Sequence, residues 1–163
     1  MVEDAVMRDV LTVTRRIVWC ALTTVDEAGR PRNRVVHPVW ERTGDGLRGW
    51  VTTRRSPVKT AHLASNPHVG CAYVGADHDV AYLDCTARWA SAEERHHAWA
   101  LCRALPAPAG FDPATIWPDG PDSAGAEVLC LEPYRVQVGL AADLATGEAP
   151  RTWSATPDRV ARP

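Results

Sequence analysis

The sequence predicts a mainly β fold: a six-stranded antiparallel β-barrel with peripheral helices. Three observations carry that expectation. β-Rich runs follow one another in hairpin order, separated by short turn signals. Helical patterns are confined to the N-terminus and two short stretches. No internal repeat or interdomain linker breaks the 163 residues, a length suited to one domain. The expected organisation is a single domain over residues 1–140, N-terminal helix included, and a C-terminal arm over 141–163.

Val2, Val6, Val10, Val13 and Ile17 recur at helical spacing, so residues 3–15 read as an amphipathic helix. A β-rich run follows from Ile17 to Val25, and Asp26 to Pro31 is a turn. Residues 32–41 alternate back as a second strand. After the turn Thr43-Gly44-Asp45-Gly46, Leu47 to Thr53 makes a third. A short helix is expected over 57–66, ended by Asn66-Pro67 because a residue before proline is pushed out of the α region. Strands then run over 69–74 and 80–89. Ser91 and Glu94 have capping-box spacing and open a helix from Ala92 to about Leu105. Residues 106–125 read as a long surface loop, and 127–138 as a last strand interrupted at Pro133. Beyond Gly139 the chain is expected to be an irregular arm anchored by Trp153.

The stretch with most chemistry is 52–59. Thr52 and Thr53 end a strand, Arg54 and Arg55 follow, Ser56 stands at N-cap, Pro57 at the first helical position and Lys59 in the first turn. Free amides, a positive dipole end and cations converge there, as a phosphate monoester requires. The plain alternative is a solvated Arg-Arg turn before a capped helix that binds nothing.

Composition narrows the partners. The chain is 45% hydrophobic and 23% charged, ordinary for a globular protein. A net charge of −2 argues against nucleic-acid binding, and no apolar run is long enough for a membrane span. Charged residues through the first helix leave no signal-peptide core, so a cytoplasmic protein is expected. The five cysteines are odd in number, without a C-x-x-C pair, and read as buried thiols. No metal site is expected. His96 and His97 point about 100° apart on one helix and read as surface residues. Seven tryptophans against one phenylalanine is unusual; most read as core anchors, with one or two free to border an aromatic ligand.

The order of these pieces resembles the pyridoxamine 5′-phosphate oxidase-like split-barrel flavoproteins. Thr23 to Pro31 looks like that family's first hairpin, and Arg34-Val35-Val36-His37-Pro38-Val39-Trp40 like its second strand. Gly49 to Thr53 with Ser56-Pro57-Val58-Lys59 and His62-Leu63 looks like its phosphate-binding strand and helix. Asn66 to Tyr73 and Glu132 to Val136 resemble later strands, so the likeness covers about 15–140. It implies a split barrel of FMN-binding type, a homodimer with FMN at the subunit interface, and a small-molecule substrate. The ring edge would meet the backbone of Arg34, Val35 and Val36. The phosphate would meet Thr52 or Thr53, Ser56 and Lys59, with Arg54 or Arg55 replacing the arginine usual beside that lysine. The Ser-to-Lys spacing is one residue longer than in the family. Val80 stands where its oxidases place a glutamine, and their C-terminal substrate-gripping residues have no counterpart. An FMN-dependent oxidoreductase of open substrate is therefore expected. A deazaflavin-dependent reductase, or a non-catalytic flavin or haem module with His37 or His62 as axial ligand, are the alternatives.

Overall fold

In the computed structural model the described residues are 2–44 and 46–155. Val6, Met7, Val10, Leu11 and Val13 form one buried stripe of α1 (Val2–Ile17), as the apolar spacing requires. Val18 ends the helix at φ 69, its amide donating to the Thr14 carbonyl at 2.9 Å. A β-branched residue held there costs on the order of 1–2 kcal/mol. The chain then enters β1 (Cys20–Val25) with Trp19 facing solvent.

β1 turns into β2 (Pro31–Val36) through Gly29 at φ 76, while Asp26 Oδ1 accepts the Ala28 and Arg30 amides at 2.9 Å each. β2 stops at His37-Pro38. The chain resumes as β3 (Val39–Thr43) and turns back as β4 (Gly46–Thr53). α2 (Pro57–Ser65), β5 (His68–Val74), β6 (Val80–Trp89), α3 (Ala92–Ala104) and β7 (Glu127–Gly139) follow. A helical turn, α4 (Ala141–Ala145), leads to β8 (Arg151–Ser154).

All eight strands form one antiparallel sheet in the order β2-β1-β5-β6-β7-β4-β3, with β8 on β7. The mainly β class and the split barrel are as expected, but eight strands replace six. Pro38 has no amide to give a ladder, so the run expected over 32–41 breaks into β2, paired with β1, and β3, paired with β4. The eighth strand comes from the expected irregular arm, where Thr152 pairs Gln137 and Trp153 pairs Val136. Residues 156–163 of that arm lie outside the described residues. β7 is not interrupted at Pro133. The register skips there: Asp84 faces Arg135 and Cys85 faces Pro133, leaving Tyr134 as the extra residue of a bulge. The loop 106–125 carries a 3-10 turn at Pro113–Thr115 and a buried Trp117.

β2 and β3 end the strand path, yet two residues join them. The sheet must curl until its edges nearly meet, and its inner face becomes the core. Trp40 and Tyr73 lie at the centre, each at most 1% exposed, with Trp40 Nε1 donating to the Tyr73 hydroxyl at 2.8 Å. That bond removes the cost of burying both polar atoms. Trp50 lies on the other face of β4, under α3, and donates to Glu41 Oε1 at 2.7 Å. Trp99 joins Trp117 and Ala126 in a separate cluster, the Trp99 and Trp117 ring centroids 6.3 Å apart. Among the described residues no helix is long and apolar enough to cross a membrane.

A Cβ on Gly49 would lie 2.5 Å from the Trp40 ring. Gly49→Ala is expected to destabilise the fold by about 1–3 kcal/mol, read from urea unfolding midpoints, because the Trp40 ring is hemmed in by core and cannot retreat.

Candidate functional site

The Ser56 hydroxyl caps α2, accepting the Lys59 amide at 3.3 Å. That fixes the first turn and carries the Lys59 side chain inward, leaving the residue 9% exposed. Its ammonium donates to the Thr53 hydroxyl at the end of β4. Arg34 approaches from the neighbouring edge. Leu22 is its partner across the β1–β2 ladder, so Arg34 shares the core-facing side of β2. Its Nη1 donates to Thr24 Oγ1 at 2.6 Å, and Thr24 Oγ1 lies 2.9 Å from His62 Nδ1. The Thr24 hydroxyl thus bridges the Arg34 guanidinium and the His62 ring.

Lys59, Thr53, Arg34, Thr24 and His62 thus form one cluster drawn from α2, β4, β2 and β1. Its electrostatics are uncompensated. Burial, then the charge of Arg34, pulls the Lys59 pKa below the lysine range. Burial, then Arg32, does the same to Arg34. Among the described residues neither cation has a carboxylate in ion-pair contact. Two cations and the capped start of a nine-residue helix, α2, make a site that suits an anion.

The structure divides the expected site residues. Ser56, Lys59 and Thr53 come together, with Arg34 added through its side chain. Thr52 projects from the opposite face of β4, alternate strand residues facing opposite ways. Arg54 and Arg55 turn elsewhere: Arg54 lies 6.0 Å above the Trp117 ring, and Arg55 lies 4.5 Å above Trp89 and 3.6 Å from Glu127. Val35 is 73% exposed on the outer side of β2, while Val36 packs on the core. Thr24 was not foreseen. His62 stands three residues after Lys59, hence on the same helical face, which was the signal available.

A cavity of about 1080 Å³ opens at the other end of α2, lined by Ser65, Asn66, His68, Tyr134 and Trp153 among others. It shares no residue with the cation cluster. Trp153, expected to anchor the arm, forms part of this second wall. His96 and His97 engage Asp122 and Glu41 at 2.9 Å each, and no group suited to a metal occurs among the described residues.

The family model of pyridoxamine 5′-phosphate oxidase matches residues 7–138. The chain belongs to this family. No curated protein matches it. Solved structures of the family share the fold. A general stress protein 26-related protein of the pyridoxinephosphate oxidase family from Clostridium acetobutylicum has a TM-score of 0.68 at 15% identity, covering 93% of this chain and 95% of that one. A pyridoxamine 5′-phosphate oxidase-related, FMN-binding protein from Nostoc punctiforme has a TM-score of 0.58 at 14% identity, covering 94% and 96%. A haem-binding protein from Mycobacterium smegmatis has a TM-score of 0.64 at 16% identity, covering 90% of this chain and 56% of that one.

Because its folded-state pKa is lowered, protonated Lys59 opposes folding at neutral pH, and that cost fades as pH rises through the lowered value. Lys59→Met is therefore expected to leave the apoprotein's melting temperature unchanged or higher at pH 7, while abolishing phosphate-monoester binding in calorimetry. Wild-type affinity for the monoester should fall as pH rises into the alkaline range, where Lys59 loses its proton before an ordinary lysine would. Arg34→Ala should weaken the same binding by roughly tenfold or more, and Arg54→Ala by less than about twofold.

Proposed function

We propose that the protein is an FMN-dependent oxidoreductase acting as a cytoplasmic homodimer, with the cofactor in the groove between protomers. The observation that carries this is the pairing of buried Lys59 with half-buried Arg34 at the start of α2, two cations with no carboxylate in contact among the described residues. A phosphate dianion fits that donor set: Lys59, Arg34 and the first amides of α2 hold the charge, and Thr53 orients the ammonium. β2 supports the placement of the ring. It pairs only with β1, so its outward backbone groups at Arg34–Val36 stay free to bond a heterocycle edge. Once bound, FMN supplies hydride and single-electron transfer. The chain's residues bind it, orient it and exclude water.

The pairing of protomers has its own support. Across the outer face of the sheet one row runs Val35, Ala21, Ala72, Tyr82, Gln137. Ala21 and Ala72 are small, and Val35, Val74 and Tyr82 are exposed. α3 covers the outer face at Val39, Trp50, Val128 and Cys130, and the exposed row beside it suits a second copy. The five cysteines are free and buried, which suits a reducing compartment. The Nostoc relative is described as FMN-binding and the Mycobacterium one as haem-binding, so the cofactor is what experiment must decide.

Apoprotein titrated with FMN, a deazaflavin and hemin decides it. FMN binding with quenched flavin fluorescence, weakened at least about tenfold in Lys59→Ala, is expected. A Soret band with no flavin binding would replace the FMN reading with a haem one. Ala21→Arg, at the centre of the outer face, should give monomers by light scattering and lose FMN; a monomeric wild type that still binds FMN contradicts the interface.

A further inference from the structure

Among the described residues the buried polar or charged ones are Thr14, Thr24 and Lys59. Thr24 follows Cys20 and Leu22 in the inward row of β1 and is 0% exposed. A valine has the same branched shape and needs no polar partner, so packing alone does not call for a hydroxyl there. What the hydroxyl adds is two contacts, Arg34 Nη1 at 2.6 Å and His62 Nδ1 at 2.9 Å.

Arg34 depends on the first of these. Its Nη1 is otherwise 3.5 Å from the Arg32 carbonyl oxygen, at the limit of a hydrogen bond. Other arginines are placed by carboxylates: Arg30, on the same hairpin, holds Asp26 at 2.7 Å, and Arg88 holds Glu94 at 2.6 Å. A carboxylate fixes a guanidinium and neutralises it. A hydroxyl fixes it and leaves the charge and most of its N–H donors free.

This placement works against repulsion. Burial, then the charge of Arg34, lowers the Lys59 pKa, so the two cations act on one another. Lys59 is buried and tied to Thr53, whereas Arg34 is half-buried on a long flexible stem. Unrestrained, the guanidinium would relax by swinging into water. Thr24 restrains it. His62, three residues after Lys59 on α2, ties Thr24 to the helix that carries the other cation.

We propose that Thr24, held by His62, is a positioning residue that keeps Arg34 beside Lys59 as the second arm of the anion site. The role rests on the phosphate reading of that cluster and not on which cofactor brings the phosphate. Thr24 is shut off from solvent and acts through Arg34; His62 acts through Thr24.

Lys59 is the sole lysine of the chain, so lysine labelled with carbon-13 at Cε gives one resonance to titrate. In Thr24→Val apoprotein the released Arg34 moves away, one of the two causes lowering Lys59 is lost, and the titration should shift upward. Thr24→Ser should titrate with wild type. Inorganic phosphate, followed by calorimetry, is the second probe. Its affinity should fall roughly fivefold in Thr24→Val and stay within about twofold of wild type in Thr24→Ser. In an Arg34→Ala background Thr24→Val should add no further loss, because both changes remove the same arm. His62→Phe removes the contact from the helix side and should weaken phosphate binding on its own but not on top of Thr24→Val. Arg34 and His62 are part-exposed and can turn to water, so Thr24→Val should keep the fold by circular dichroism; where it does not, His62→Phe decides by the same two readings. Either an unshifted Lys59 titration or unchanged phosphate affinity in Thr24→Val overturns the role. So does a loss that adds in full to that of Arg34→Ala, since Thr24 would then act on the fold as a whole. FMN titration of the same proteins keeps the two ideas apart: a wild type that binds phosphate and not FMN loses the flavin reading and leaves the role of Thr24 standing. A wild type that binds neither overturns both.

Discussion

The constraint on which the rest of the structure depends is the two-residue junction His37-Pro38. It joins the two strands that terminate the sheet path, β2 and β3. Consecutive Cα atoms stand about 3.8 Å apart, so these edges cannot separate by more than a few residues' reach. A seven-strand path held end to end this way has to roll up. Because the edges meet through chain and not through a ladder, β2 keeps one row of backbone groups unpaired. The curl gives Trp40 and Tyr73 a closed interior, and the split leaves a polar edge at the surface. The strand that closes the barrel is the one with free hydrogen-bonding groups.

The same closure assembles the cation cluster. Arg34 sits on the core-facing side of β2 and Thr53 at the end of β4, two strands that are not hydrogen-bonded neighbours. Curling brings them under α2, where Lys59 and His62 point down on one helical face. The result is a pair of half-buried cations whose repulsion and desolvation the fold tolerates without a carboxylate. Such a cost persists where something binds the charge, and an anion delivered by a ligand removes it. If the proposed phosphate binds there, stability and binding pull in opposite directions at Lys59.

Much of this was legible from residue types alone. The stripe of α1, the Ser56 cap, the Ser91–Glu94 capping box and each hairpin turn follow from local rules, and the structure carries them all: Ser91 Oγ accepts the Glu94 amide at 3.2 Å, and Glu94 accepts the Ser91 amide at 2.9 Å. The break at Pro38 was written in the sequence as well, because proline cannot serve a ladder, but alternation across it disguised one run as one strand. Pro133 misled the other way. A bulge at Tyr134 absorbs the missing amide, and β7 runs on. Arg54 and Arg55 were adjacent to the cradle in sequence, yet the aromatic faces of Trp117 and Trp89 take them, since those rings come from segments far along the chain.

By itself the sequence determined what is local: periodicity, caps, turns, and a short helix whose first turn presents Lys59. These depend on residues within a few positions of one another. Only the tertiary structure decided which second cation faces Lys59, that Thr24 bridges Arg34 to His62, and that Trp153 belongs to another wall. Within the cation cluster those pairings span up to 38 residues, as between Thr24 and His62. They are set by strand register and barrel closure, which no local pattern encodes.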